Sequence, residues 1–484
     1  MDVLFAVSEC APFAKTGGLA DVAGALPKAL KAEGVRARVL LPVYPALQPL
    51  LDSGHFLGEV YGIDGAKGAY AVEAEGLDLI LLDAPHLFKR PGGPYINEAG
   101  VDWVDNHLRF AGFSRAAANI ARDGLHGWTP DILHVHDWQT ALAPAYLKLD
   151  GRGGPPAVIT IHNMAFQGVF PSTEVDALAL PRHGFHPDGY EYWGQVGFLK
   201  AGLVYADRIT TVSPTYAREL TAAEFGMGLQ GVIAARRADL EGVLNGVDLD
   251  IWNPAADARL PQSYGPESVS GKAVNRAALA EAFDIDIEDH APLFGLVSRL
   301  TRQKGIDLLL AVLPRLLARG ATLAVLGSGD HDLEAAFRAA ATAYPRRVGV
   351  KIGYDEPLAH LVQAGADSIL VPSRFEPCGL TQLYALRYGS PPVVARTGGL
   401  ADTVIDANDA ALRAGCGTGF VFSPIAAGTL ADAIDRACDA YADPPLWTRI
   451  ARRAMTHPVG WEISAKRYAA LYAELAGESA GSAD

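Results

Sequence analysis

Arg299 and Lys304 both lie in the segment Ser298-Arg299-Leu300-Thr301-Arg302-Gln303-Lys304-Gly305, directly after the apolar run 293–297. A strand ending there sets both cations at the carboxyl end of a parallel sheet, where open α/β folds bind their ligands. Cations so placed neutralise charge growing on a departing diphosphate. A second segment, Ser373-Arg374-Phe375-Glu376-Pro377-Cys378-Gly379-Leu380-Thr381-Gln382, follows the apolar run 369–371. Pro377 and Gly379 bracket a sharp turn, and Thr381 falls in the first turn of a helix. Backbone N–H groups there meet phosphate or sugar hydroxyls, and Glu376 is placed to accept from such hydroxyls. Cys378 has no His or other base beside it in sequence, so it reads as a packing or backbone-contact residue rather than a nucleophile.

Near the start, Lys15-Thr16-Gly17-Gly18-Leu19 joins a strand-like run to a helix-like one. Its glycines let backbone N–H groups approach a ligand, the helix points its positive end there, and Lys15 adds an ammonium suited to a diphosphate. The hexapeptide Thr16-Gly17-Gly18-Leu19-Ala20-Asp21 recurs letter for letter as Thr397-Gly398-Gly399-Leu400-Ala401-Asp402, each copy preceded by a base, Lys15 or Arg396. Two readings stand: similar turns in duplicated folds, or two loops facing one cleft. His134-Val135-His136-Asp137-Trp138 and Thr160-Ile161-His162-Asn163 add polar clusters at two further predicted strand ends. With no HExxH helix and no neighbouring Cys set, a zinc site is disfavoured, and no metal is expected.

The elements that must position these groups follow from periodicity. Apolar runs at 3–7, 38–41, 79–82, 132–135, 158–161 and 208–212 lack polar alternation and fit strands covered on both faces of a parallel sheet. A second series, 293–297, 323–326, 348–352, 369–371 and 393–395, is interleaved with helical segments such as 306–317 and 333–343. Two Rossmann-like, doubly wound α/β domains are the natural reading. The expected division is 1–244, then 245–457 after an Asn-Gly turn, then a helix over 458–476 packing back on the first domain, then a disordered tail at 477–484. In that last helix Trp461, Tyr468, Leu471, Tyr472 and Leu475 form one apolar face.

The chain has 484 residues, 50% hydrophobic and 20% charged, which is the composition of a globular protein with more than one core. Its net charge of −14 disfavours nucleic acid or an anionic membrane as a partner. The four cysteines form no CxxC pair, which suggests neither disulfides nor zinc. No run approaches the length of a membrane span and no secretory leader is visible, so the cytoplasm is the expected location. Oligomeric state is not legible.

Taken in order, these motifs, with Asn245-Gly246-Val247-Asp248, resemble the glycogen/starch synthase family over about residues 1–475. The resemblance implies a GT-B glycosyltransferase with an interdomain cleft, ADP-glucose as donor, an α-1,4-glucan such as glycogen as acceptor, retention at the anomeric carbon, and no catalytic metal or other cofactor. It implies that Lys15, Gly17 and Gly18 touch the donor, that Arg299 and Lys304 bind its diphosphate, and that Tyr354 lies by the adenine. Glu376 and the backbone of Cys378, Gly379, Leu380 and Thr381 would hold glucose and phosphate. Asp137 and His162 would face the glucose, while Tyr95, Trp138 and Asn163 would seat the glucan. The sequence departs from the broader retaining pattern at Tyr384, where a second Glu is common, which puts a carboxylate grip on the ribose in doubt. No base-reading pattern surrounds Tyr354, so UDP-glucose stands as the alternative donor. Neither Glu376 nor Asp137 is expected to act as a nucleophile; front-face attack, with the leaving phosphate taking the acceptor's proton, is the expected route.

Overall fold

A computed structural model describes residues 1–481, with side chains of the last helix described through Gly477. Of the tail expected to be disordered at 477–484, residues 477–481 continue the C-terminal helix, since Gly477, Glu478, Ser479 and Ala480 include no proline to stop it, and the final three residues lie outside the described residues. The chain divides into two compact units: residues 1–245 together with the C-terminal segment from Trp461, and Gly246–Gly460.

The first unit is built on a nine-stranded sheet in the spatial order Leu240–Gly242, Arg208–Thr211, Ala157–Ile161, Ile132–His136, Asp2–Ala6, Arg36–Pro42, Leu77–Asp83, Gly65–Ala74 and His55–Gly62. The first seven are mutually parallel; the last two form an antiparallel hairpin at the edge. The six apolar runs read from the sequence are all strands of this sheet. The hairpin had no comparable signal, because its first strand is half-exposed and interrupted by glycine. Its Asp64-Gly65 turn is the kind of dipeptide that closes hairpins and was the cue available. Helix Gly18–Ala32 buries Leu19, Val22, Leu26 and Leu30 at helical spacing. The C-terminal helix, Glu462–Gly481, buries Tyr468, Leu471, Tyr472 and Leu475 within this same unit.

Strand Ile132–His136 is unusual in having every residue buried although two are histidines. Period-two alternation puts His134 and His136 on one face. There His134 pairs its Nδ1 with the Tyr472 hydroxyl of the C-terminal helix at 2.7 Å and its Nε2 with the Thr160 hydroxyl at 2.6 Å. Burial without partners would be costly for such a ring; here both nitrogens are satisfied.

The second unit carries a six-stranded, all-parallel sheet in the order Val348–Ile352, Thr322–Gly327, Leu293–Val297, Ser368–Val371, Val393–Ala395 and Phe420–Phe422. The order reverses direction between Leu293–Val297 and Ser368–Val371, which creates the switch point where doubly wound sheets bind ligands. Helices Ile306–Ala318 and His331–Ala343 cover it, each within two residues of the expected span. Among the described residues no helix is long and apolar enough to cross a membrane.

Candidate active site

In the first unit the strand Ile132–His136 ends on a turn that is locked by Thr140, whose Oγ1 accepts from His136 N at 2.7 Å and donates to His136 O at 2.8 Å. The next residue, Asp137, has φ of +52°, a left-handed conformation that non-glycine residues adopt at a cost of about 1–2 kcal/mol. That strain turns its carboxylate onto the neighbouring strand end. Oδ1 accepts from the backbone N–H of His162 at 2.7 Å and of Asn163 at 3.4 Å. Burial pushes the Asp137 carboxyl up to about 7, opposed by those two amide bonds and aided by the charge of Glu9. His162 is pushed the other way, down to about 3, by burial, and is neutral. Its Nε2 lies 2.9 Å from His136 Nδ1.

Glu9, which the motif reading passed over, organises the rest of this cluster. Its Oε2 accepts from Thr16 N at 2.6 Å and from Gly17 N at 3.0 Å, and its Oε1 accepts the Tyr95 hydroxyl, which also pairs with Ser8 Oγ at 2.7 Å. The sequence cue was a carboxylate just beyond the first strand of an α/β sheet. Two backbone N–H groups expected to await a phosphate therefore already hold an anion, one supplied by the chain itself. Gly18 opens the following helix. Lys15 Nζ pairs with Asp21 at 2.7 Å across the first turn of that helix. Trp138 is only 9% exposed, set edge-on to Phe110 at 5.1 Å and tilted against Phe170 at 5.8 Å, so it offers a ligand little more than an edge. Tyr95 and Asn163 are partly exposed.

In the second unit the two loops expected to act together do meet at the switch point. Lys304 Nζ lies 2.6 Å from Glu376 Oε2, which also accepts from Ser373 Oγ at 2.8 Å. Glu376 Oε1 has no hydrogen-bond partner among the described residues. Arg374 ties the loops together with a fork onto Asp307, Nη1 to Oδ1 at 2.6 Å and Nη2 to Oδ2 at 2.8 Å, and Gln303 O accepts from Arg374 N at 2.9 Å. Ser373, Arg374 and Asp307 had not been assigned this bracing role from the sequence. A small pocket lined by Ser298, Lys304, Ser373, Glu376 and Thr381 opens beside them. Helix Thr381–Arg387 begins there with no side chain capping its N-terminus. Gln382 Nε2 holds the carbonyls of Cys378 at 3.0 Å and Gly379 at 2.8 Å, and Gly379 takes the positive φ of +73° that this turn needs. Leu380 is the residue from which the helix starts. Cys378 is buried and forms no disulfide. Arg299 is exposed; its backbone carbonyl accepts from Ser298 Oγ at 3.1 Å and Thr301 N at 3.0 Å, while its guanidinium has no hydrogen bond or ion pair among the described residues. Tyr354 is 66% exposed, beyond the strand Val348–Ile352. Among the described residues no group of three or more His, Cys, Asp or Glu is arranged to hold a metal ion.

Chemically the two clusters differ: one is a set of desolvated, mostly neutral groups, the other an array of cations, a carboxylate and a helix N-terminus. Comparison with known proteins gives that contrast a family. Residues 2–235 match the model of the starch synthase catalytic domain, and residues 280–454 that of glycosyl transferases group 1. Glycogen synthase of Roseobacter denitrificans is 57% identical over 481 residues, 99% of this chain and 100% of the relative. Glycogen synthase of Rhizobium etli is 53% identical over 476 residues, 98% of this chain and 99% of the relative. Among solved structures, the catalytic domain of starch synthase IV from Arabidopsis thaliana, bound to ADP and acarbose, superposes with a TM-score of 0.87 at 33% identity, covering 98% of this chain and 99% of that one. The chain belongs to the glycogen synthase family of GT-B glycosyltransferases.

Proposed function

We propose that this chain moves glucose from ADP-glucose to the non-reducing end of an α-1,4-glucan, with retention, releasing ADP. The observation that carries the reading is the Lys304–Glu376–Ser373 constellation at the switch point, beside an uncapped helix N-terminus and an unpaired Arg299. An anionic leaving group and a polyhydroxylated ring need those partners together. The ADP and acarbose held by the Arabidopsis relative support a nucleotide diphosphate and a glucan-like acceptor. A cytoplasmic location is part of this reading.

In this reading Arg299 meets the developing charge on the leaving phosphate. Lys304 does so as well, but it shares its charge with Glu376, so Arg299 contributes more of the stabilisation. The Thr381 helix N-terminus receives the phosphate, and Glu376 Oε1 accepts from glucose hydroxyls. Tyr354 stacks by the adenine. Lys15, Gly17 and Gly18 approach the donor, and Tyr95, Asn163 and the edge of Trp138 border the acceptor. Neither carboxylate is suited to a double displacement. Asp137 has one oxygen committed to two amides and is about half protonated near neutral pH, and Glu376 is tied to Lys304. Front-face attack follows, the leaving phosphate oxygen taking the acceptor's proton as the new glycosidic bond forms.

Incubation with labelled ADP-glucose and glycogen, followed by linkage analysis, tests the reading. New α-1,4 bonds in proportion to ADP released are expected; no transfer, or faster transfer from UDP-glucose in competition, contradicts it. A covalent glucosyl-enzyme trapped on Asp137 or Glu376 contradicts the front-face route.

A further inference from the structure

His136 takes no part in the roles assigned above, yet it is fully buried and one of its ring nitrogens touches His162. We infer that His136 is a positioning residue that fixes the tautomer of His162, so that His162 presents an Nδ1–H donor at the site. The functional consequence rests on the reading of His162 as a sugar-facing group; the tautomer itself does not.

The inference follows from counting donors and acceptors. Burial holds both rings neutral, so each carries one N–H. His136 Nδ1 and His162 Nε2 are 2.9 Å apart, and one of them must donate. His136 Nε2 is buried and has no partner among the described residues. If His162 Nε2 donated, neutral His136 would carry its hydrogen on Nε2, an orphaned N–H in the core. Orphaned buried N–H groups are rarer than under-used acceptors, and leaving one unsatisfied biases such an equilibrium by roughly ten- to a hundredfold. The other arrangement leaves only a lone pair unmatched. In it His136 Nδ1–H donates, His162 Nε2 accepts, and the His162 hydrogen sits on Nδ1. That nitrogen has no partner among the described residues, and His162 is partly exposed. The ring is thus a fixed donor toward an oxygen acceptor.

Two neighbours keep His136 from turning over. The Phe5 ring packs on it at 4.1 Å, and His134, itself pinned by Tyr472 and Thr160, stacks at 4.2 Å with a 36° tilt. The C-terminal helix therefore reaches His162 through two rings.

The test is nitrogen NMR of the full-length protein with labelled histidine, the His162 signals being assigned by their loss in His162→Asn. The expected spectrum has His162 protonated at Nδ1 and bare at Nε2. His136→Phe removes the donor and should shift His162 toward the Nε2–H form, whereas His136→Asn keeps an N–H donor and should restore the original pattern. An Nε2–H form in the unsubstituted protein, or an unchanged His162 spectrum in His136→Phe, overturns the proposal. Turnover of a series of monodeoxy ADP-glucose analogues forms a separate arm. The parent should lose about tenfold in kcat/KM with one member of the series, and His136→Phe should show that discrimination reduced. A flat series with the expected spectrum overturns the sugar-facing reading and leaves the tautomer assignment standing.

Discussion

In the first unit the segment 16–21 leaves open space beside Gly17, with nothing within 4 Å of where a Cβ would stand, and its backbone N–H groups are held by Glu9. In the second unit the identical segment 397–402 is packed shut. A Cβ on Gly399 would stand 2.1 Å from the Cys378 carbonyl oxygen and one on Gly398 would stand 2.0 Å from that of Glu376, while Gly399 N donates to Glu376 O at 3.1 Å and Pro377 O at 3.0 Å. One copy has room beside it, and the other is a brace under the turn that carries Glu376. The same six letters lead into a helix in both units, but by different backbone paths: Gly17 is extended at φ −153° and the helix starts at Gly18, whereas its counterpart Gly398 takes φ +43° and itself opens the helix. The second copy thus supports residues 376–378 from beneath.

The sharpest way to break this comparison is to add the same kind of atom to both copies. Gly398→Ala should cost about 4 kcal/mol or abolish folding, because the Glu376 carbonyl oxygen stands where the Cβ must go and the φ of +43° is left-handed. Gly17→Ala, at an extended φ of −153°, should change stability by no more than about 0.5 kcal/mol and show its effect in the KM for donor. Thermal unfolding and donor titration read both. Equal stability losses would remove the distinction.

The two units also differ in how they treat charge, and pH sharpens that difference. Asp137 is raised by burial from 3.8 to about 7. Between those values the unfolded chain has lost the proton that the folded chain keeps, so this residue's contribution to stability falls as pH rises and is fully lost above about 7. Asp137→Asn removes that dependence while keeping an oxygen to accept from His162 N. Relative to the parent, its stability should gain on the order of 4 kcal/mol at most between pH 4 and pH 8. Parallel stability curves across that range would show that Asp137 is not held in its protonated form.

Glu9 is the smaller test. Glu9→Gln keeps one oxygen but cannot serve Thr16, Gly17 and Tyr95 as a carboxylate does. Because Glu9 joins the loop proposed for the donor to the residue proposed for the acceptor, KM for both substrates should rise, together by about tenfold in kcat/KM. A change confined to one substrate would uncouple the two loops.

Much of this was legible in the sequence. Buried parallel strands announce themselves as unbroken apolar runs, and the runs at 132–135 and 369–371 led straight to Asp137 and Glu376. The half-exposed hairpin His55–Ala74 did not, because one solvated face and interspersed glycines dilute its alternation. The site's cations and its carboxylate were found because they sit just past strand ends. Its supports were harder to see, since Glu9 acts on residues seven and eight positions away, Arg374 on Asp307 and His136 on His162. Such pairings depend on which strands lie side by side, and a single sequence shows each partner only as an isolated polar residue.

Glucose transfer that depends on a cation left free for the leaving phosphate is tested most directly by single-turnover transfer from ADP-glucose to glycogen in Arg299→Ala. The Arg299 guanidinium has no partner among the described residues to lose, so the fold should be unaffected, and the predicted result is a rate lower by about a hundredfold or more at an unchanged melting temperature. Transfer at the parent rate would contradict the assignment of the second unit's switch point as the place where the diphosphate leaves.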